Sequence, residues 1–81
     1  STSNTPDRPM INRETQSRVM SAVSALPEYL RAAITLVAID EKDPAEAAYI
    51  LGCNKATIYW RIHKARKILG KELEDLYRGA T

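Results

Sequence analysis

Apolar side chains recur every three or four residues along most of this sequence, the spacing of α-helices that bury one face. The first such segment predicts a helix over about 13–25, with Asn12 as its N-cap and one apolar side formed by Val19, Val23 and Leu26. Pro27 ends this helix, because the residue before a proline is pushed out of the helical region. A second helix begins at Pro27, and its buried stripe is predicted to consist of Leu30, Ala33, Ile34, Val37 and Ala38.

Two further predicted helices flank a short turn. Asp43 is a suitable N-cap for a third helix over about 44–51, whose inner face is predicted to hold Ala47, Ala48 and Leu51. Gly52 can adopt the left-handed conformation that stops a helix, and Asn54 can cap the next one. That fourth helix is predicted over about 55–77, with a core face of Ile58, Ile62, Ala65, Leu69, Leu73 and Leu76. Two helices joined by a three-residue turn with a glycine predict a helix-turn-helix.

The predicted fold is therefore all-α, a small four-helix domain over residues 12–81 that contains a helix-turn-helix. Residues 1–11 are predicted to be a disordered tail or an interdomain linker, because they are polar, hold two prolines and lack periodicity. The length of 81 residues allows one domain at most.

The cellular setting is predicted from what the chain lacks. Its single cysteine excludes an internal disulfide and favours a reducing cytoplasm. No apolar run approaches the roughly 18 residues of a membrane span, and no signal-peptide pattern opens the chain. Because the chain begins with a polar segment and with Ser rather than Met, we expect a fragment or a processed form of a longer cytoplasmic protein.

Positive charge is concentrated on the predicted fourth helix, although the net charge of +2 is too small to indicate a partner. Six basic residues and no acid lie between positions 54 and 71. Opposite the core face of this helix lie Thr57, Trp60, His63, Lys64, Lys67 and Lys71, with Tyr59 and Arg61 on the flanks. In helix-turn-helix proteins the start of such a helix enters the DNA major groove, where its side chains read bases and its cations contact phosphates. The alternative is a solvated basic face without a partner, but a large aromatic residue such as Trp60 is rarely placed on an unused surface.

Several short motifs occur together around this helix: "LP" before helix two, an acidic start to helix three, "AYILG" at 48–52, "TI" at 57–58 and "RIHKARK" at 61–67. In this combination the stretch from Leu26 to about Leu73 resembles region 4 of bacterial sigma-70-type factors, especially the extracytoplasmic-function group. The resemblance implies a domain that binds the −35 promoter element and docks on the β-subunit flap of the RNA polymerase core. It also implies an anti-sigma factor as a partner, and we expect a monomer in isolation.

Carried over position by position, the resemblance implies base or sugar contacts by Tyr59, Trp60, His63 and Lys64. It implies phosphate contacts by Lys55, Thr57, Arg61 and Lys67.

Three features depart from the family pattern. Tyr59 and Trp60 stand where relatives carry basic or small residues, so the preferred DNA sequence can differ. Val37 stands where some relatives present a basic residue to DNA, and Tyr49 where an acid or alanine is common.

Other functions stay open at this point. The second hypothesis is a sigma-like module that binds an anti-sigma factor without reading DNA. It stays open because Trp60 stands in place of a small residue and Val37 in place of a basic one. An unrelated helix-turn-helix regulator of the two-component output type is a third possibility, against which the "LP" junction and "RIHKARK" argue. An enzyme is not expected, because the chain shows no acid pair, no nucleophile with a base and no phosphate-cradling loop. No cofactor or metal is expected, since His63 has no Cys/His cluster around it and Cys53 is predicted to be an apolar plug.

Overall fold

A computed structural model describes residues 12–79 of the chain, and the described part is helical with no strand. The helices are α1 (Arg13–Ser24), α2 (Glu28–Ile34), α3 (Pro44–Leu51), α4 (Lys55–Glu72) and α5 (Glu74–Gly79). The all-α fold with a helix-turn-helix, formed here by α3, the turn and α4, is confirmed. The predicted tail or linker at 1–11 lies outside the described residues.

Polar side chains begin three of these helices as the sequence predicts. The side-chain oxygen of Asn12 accepts a hydrogen bond from the backbone N–H of Thr15 at 2.7 Å. At the start of α3, the side chain of Asp43 accepts a hydrogen bond from the backbone N–H of Ala45 at 2.9 Å. At the start of α4, the side chain of Asn54 accepts one from the backbone N–H of Thr57 at 2.8 Å. Each cap satisfies a backbone donor that the helix leaves without an internal partner. The predicted starts of α1, α3 and α4 are confirmed.

The turn between α3 and α4 depends on Gly52. This residue has φ 70° and ψ 35°, the left-handed conformation in which a Cβ is unfavourable. Its N–H donates to the carbonyl of Tyr49 at 3.3 Å, and the N–H of Cys53 donates to that of Ala48 at 3.0 Å. These two bonds are the Schellman pattern that ends a helix. Cys53 is half-buried and packs against the core, as expected for a small apolar plug.

The second predicted helix departs from its expected course after Ile34. From Thr35–Ile39 the chain winds as a π-helix, in which Asp40 N–H donates to the carbonyl of Thr35 at 2.9 Å, five residues back. The wider turn shifts the side chains within it out of the stripe set by the 3.6-residue period. Ala38, predicted to be buried, is exposed, and Val37 is only half-buried.

The fourth predicted helix is also shorter than expected, since α4 ends at Glu72 and a fifth helix follows. Gly70 lowers the helix propensity near the break. Two acids, Glu74 and Asp75, occupy the first turn of α5, where the positive end of the helix dipole favours them. The prediction of one helix to Tyr77 was wrong because it followed the apolar period and ignored these local signals.

A bidentate ion pair then ties α5 to α1. The two terminal nitrogens of Arg18 lie 3.0 and 2.9 Å from the carboxylate oxygens of Asp75. The hydrogen bonds from Arg18 lower the pKa of Asp75 below its ordinary value.

The core consists of two clusters, and α4 contributes to both. One joins α1, α2 and α4 through Val23, Leu26, Leu30, Ile34 and Ala65. The other joins α2, α3 and α4 through Ala33, Ala47, Ala48, Ile58 and Ile62. Alanines at the second cluster let α3 and α2 approach α4 closely. The apolar side of α4 is thereby fixed inward, which fixes the opposite side outward.

Candidate nucleic-acid interface

The outward side of α4 carries the residues that the sequence predicts to contact nucleic acid. Ile58, Ile62 and Ala65 are buried on the inner side, with exposures between 0% and 6%. Six of the eight predicted site residues are exposed: Lys55, Tyr59, Trp60, His63, Lys64 and Lys67. The other two, Thr57 and Arg61, are half-buried at the border with the core.

Four side chains on this side form one cluster, which we call the ring cluster: Tyr29, Trp60, Arg61 and Lys64. The rings of Tyr29 and Trp60 lie nearly parallel, with centroids 6.5 Å apart and planes inclined by 15°. The guanidinium carbon of Arg61 lies 5.7 Å from the centroid of the Tyr29 ring. The ammonium nitrogen of Lys64 lies 5.1 Å from the centroid of the Trp60 ring. Both distances fall within the range of a cation–π attraction.

Tyr29 is the residue that sequence reasoning missed. It lies in the first turn of α2, thirty-one positions before Trp60, and no motif marks it. A signal was present, however, because Tyr29 falls outside the buried stripe of α2 and is 40% exposed. An aromatic residue off the core side of a helix is the same observation that made Trp60 a candidate.

The other exposed site residues lie on α4 but do not belong to the ring cluster. Lys55 is in the first turn of α4, beside the backbone N–H groups of its N-terminus. His63 and Lys67 point to solvent on the same side as Trp60, and no ion pair is found for them among the side chains of residues 12–76. Tyr59, 54% exposed, makes no ring contact in that part of the chain.

The arrangement is suited to a polyanion with flat groups. The ammonium groups of Lys55, Lys64 and Lys67 project from this side of α4. The sequence between positions 55 and 71 contains no acidic residue. Phosphate oxygens are the partners that such cations prefer. The α4 helix is about 27 Å long, and its width fits the major groove of B-DNA, about 12 Å wide. Exposed planar groups on the same side can contact base edges or sugars.

Metal-ligand clusters and membrane-spanning helices are absent from the described residues. Within 12–79, no group of three or more His, Cys, Asp or Glu side chains could hold a metal ion. None of the helices described is both long enough and apolar enough to span a bilayer.

Comparison with known proteins gives a consistent result. The family "Sigma-70, region 4" matches residues 16–69 of the chain. The RNA polymerase sigma-H factor of Pseudomonas aeruginosa is 33% identical over 75 residues, which cover 93% of this chain and 39% of that protein. The ECF RNA polymerase sigma-E factor of Escherichia coli K12 is 34% identical over 73 residues, covering 90% of this chain and 38% of that protein. The sigma-E factor of Salmonella typhimurium LT2 gives the same values. No solved structure matches the chain. The chain thus spans about two fifths of the length of the curated relatives it matches.

Proposed function

This chain belongs to the sigma-70 region 4 family, and we propose that it is the DNA-binding domain of a bacterial RNA polymerase sigma factor of the extracytoplasmic-function type. In this proposal the outward side of α4 enters the major groove of the −35 promoter element. The observation that carries the proposal is a row of cations and exposed planar groups on the second helix of a helix-turn-helix, where no ion pair with a described acid occupies the cations. The domain acts by binding and positioning, without catalysis of its own.

The predicted site residues divide by what their side chains can contact. Lys55, Thr57, Arg61 and Lys67 contact phosphates, which set the register of the domain on the duplex. Base edges or sugars are contacted by Tyr59, Trp60, His63 and Lys64. Lys64 is the strongest candidate for base readout, because a lysine can donate to the guanine acceptors of the major groove.

Partners beyond DNA follow from the family. We propose that the domain docks on the β-subunit flap of the polymerase core in the cytoplasm. We also propose that an anti-sigma factor covers it in the inactive state and that the isolated domain is a monomer. Support comes from the relatives described above, which are RNA polymerase sigma factors.

A duplex titration tests the proposal. A preferred duplex is selected from a randomised pool by the unmutated domain, and its affinity is compared with that of a scrambled duplex at two salt concentrations. We expect weak binding that falls as salt rises. The basic side chains of the domain release counterions from DNA when they bind, and this release is less favourable at higher salt. We expect Lys64→Ala to lose about 1–3 kcal/mol on the preferred duplex and much less on the scrambled one.

The matched control is Lys42→Ala, which removes the same charge from the segment between α2 and α3. It should leave the preference between the two duplexes unchanged. If the selection yields no preferred duplex, or if affinity does not depend on salt, the domain does not read DNA with this face. A protein-docking module without DNA readout then becomes the better account.

A further inference from the structure

Core packing does not explain the position of Tyr29. It is 40% exposed and belongs to neither core cluster. Its ring instead lies against two residues of α4, stacking on Trp60 and receiving the guanidinium of Arg61. It is the one member of the ring cluster that comes from outside α4.

The contact restricts side chains that α4 alone would leave free. Trp60 is 54% exposed, and a half-exposed side chain on a helix can exchange between rotamers. Stacking on Tyr29 within the usual range of aromatic pairs favours one ring orientation. Lys64 in turn lies over the Trp60 ring, so the position of its ammonium group depends on that orientation. Side chains already held in place lose less freedom on binding than mobile ones.

We propose that Tyr29 is a positioning residue for DNA readout, which holds Trp60 and Arg61 directly, and Lys64 through Trp60, in the orientation that meets the duplex. This inference rests on the proposed function. Under this inference the first turn of α2 helps to form the surface that recognises the DNA sequence, although Tyr29 itself need not touch DNA. The effect is expected in discrimination between sequences, because Tyr29 carries no charge for phosphates.

A first experiment needs no DNA. Trp60 is the only tryptophan of the chain, so fluorescence excited at the red edge of tryptophan absorption, where tyrosines do not absorb, reports on this side chain alone. We expect Tyr29→Ala to shift the emission, lower the anisotropy and increase acrylamide quenching, whereas Tyr29→Phe keeps the stacked ring and stays close to the unmutated domain. The matched control is Tyr49→Ala, which removes a tyrosine that is 87% exposed and makes no ring contact in the described part of the chain. Unchanged fluorescence in Tyr29→Ala would overturn the inference.

A second experiment measures discrimination with the preferred and scrambled duplexes. We expect Tyr29→Ala to reduce the ratio of the two affinities by about two- to tenfold, the size of an aromatic pair interaction. The slope of affinity against salt should stay unchanged, and Tyr29→Phe should restore the ratio.

The possible failures are distinguishable. An unmutated domain that prefers no duplex contradicts the proposed function itself. If the unmutated domain prefers one duplex and the Tyr29→Ala variant prefers it equally strongly, only the positioning role of Tyr29 is contradicted. An unfolding midpoint of Tyr29→Ala as low as that of a core variant such as Ile58→Ala would make Tyr29 a packing residue and also overturn the inference.

Discussion

Replacing Ile58 with alanine tests how α4 is held in the orientation that its outward side requires. Ile58 is 0% exposed and packs in the cluster where α2, α3 and α4 meet. Removal of a buried isoleucine down to alanine costs about 2–5 kcal/mol, depending on how far the neighbours relax into the cavity. Three of the buried neighbours here are alanines, Ala33, Ala47 and Ala48, which have no side chain able to swing into the space. We therefore expect a loss of about 3–5 kcal/mol, in the upper part of that range.

A loss of this size is large for so small a protein. A domain of 81 residues has a free energy of unfolding of about 4–12 kcal/mol, and each kcal/mol lost lowers its melting temperature by about 4–8 °C. Urea unfolding followed by circular dichroism measures the change. Ile58→Val should cost only about 0.5–1.5 kcal/mol, because most of the side chain remains.

The matched control is Ile68→Ala on the same helix, where the side chain is 37% exposed. This surface change should stay within about 0.5 kcal/mol. If Ile58→Ala costs no more than Ile68→Ala, the alanine-lined packing of α4 does not hold the helix as described.

Four further predictions concern the turn, the cap, the phosphate contacts and the ion pair. Gly52→Ala should lower the free energy of unfolding by about 1–2 kcal/mol in urea titrations, because the left-handed conformation disfavours a Cβ even though the space around it is open; an unchanged value would contradict the left-handed turn. Asn54→Ala should cost about 1 kcal/mol and speed amide exchange in the first turn of α4, and exchange at the unmutated rate would argue against the cap. Lys67→Ala should weaken binding to all duplexes alike and reduce the salt slope by about one, whereas a loss confined to one sequence would make Lys67 a base reader. The pKa of Asp75 is lowered by its hydrogen bonds from Arg18, so the pairing stabilises the fold above the ordinary pKa of an aspartate. This contribution is lost as pH falls through the lower pKa of the folded state. Asp75→Asn should therefore weaken the dependence of stability on pH in this acid range, and an NMR titration that places Asp75 at or above its ordinary pKa would contradict the pair.

The sequence predicts most helix starts because their signals are local. Asn12, Asp43 and Asn54 each cap the helix that follows them, and each can be recognised from its residue type and the apolar period behind it. Gly52 is equally local, since a left-handed stop after an amphipathic segment is a common use of glycine. These four positions and the period of α4 are enough to predict which of its sides faces outward.

The features that sequence reasoning missed depend on contacts between distant segments. Arg18 and Asp75 are fifty-seven residues apart, and their pairing helps to hold α5 as a separate helix against α1. The π-helix at Thr35–Ile39 moves Ala38 off the core side without any proline or glycine to announce it. Tyr29 belongs to the candidate site only because α2 crosses α4 near Trp60, a relation that periodicity along the chain does not contain.

Mapping amide chemical shifts of the isotope-labelled domain with its preferred duplex tests most directly whether the outward side of α4 meets DNA. At saturation, the account predicts that the largest shift changes fall within residues 55–67 and at the start of α2 around Tyr29, with only small changes on α1. A scrambled duplex at the same concentration should produce smaller changes at Trp60 and Lys64. Largest changes on the exposed side of α3 around Tyr49 and Ile50, with α4 unaffected, would contradict the account.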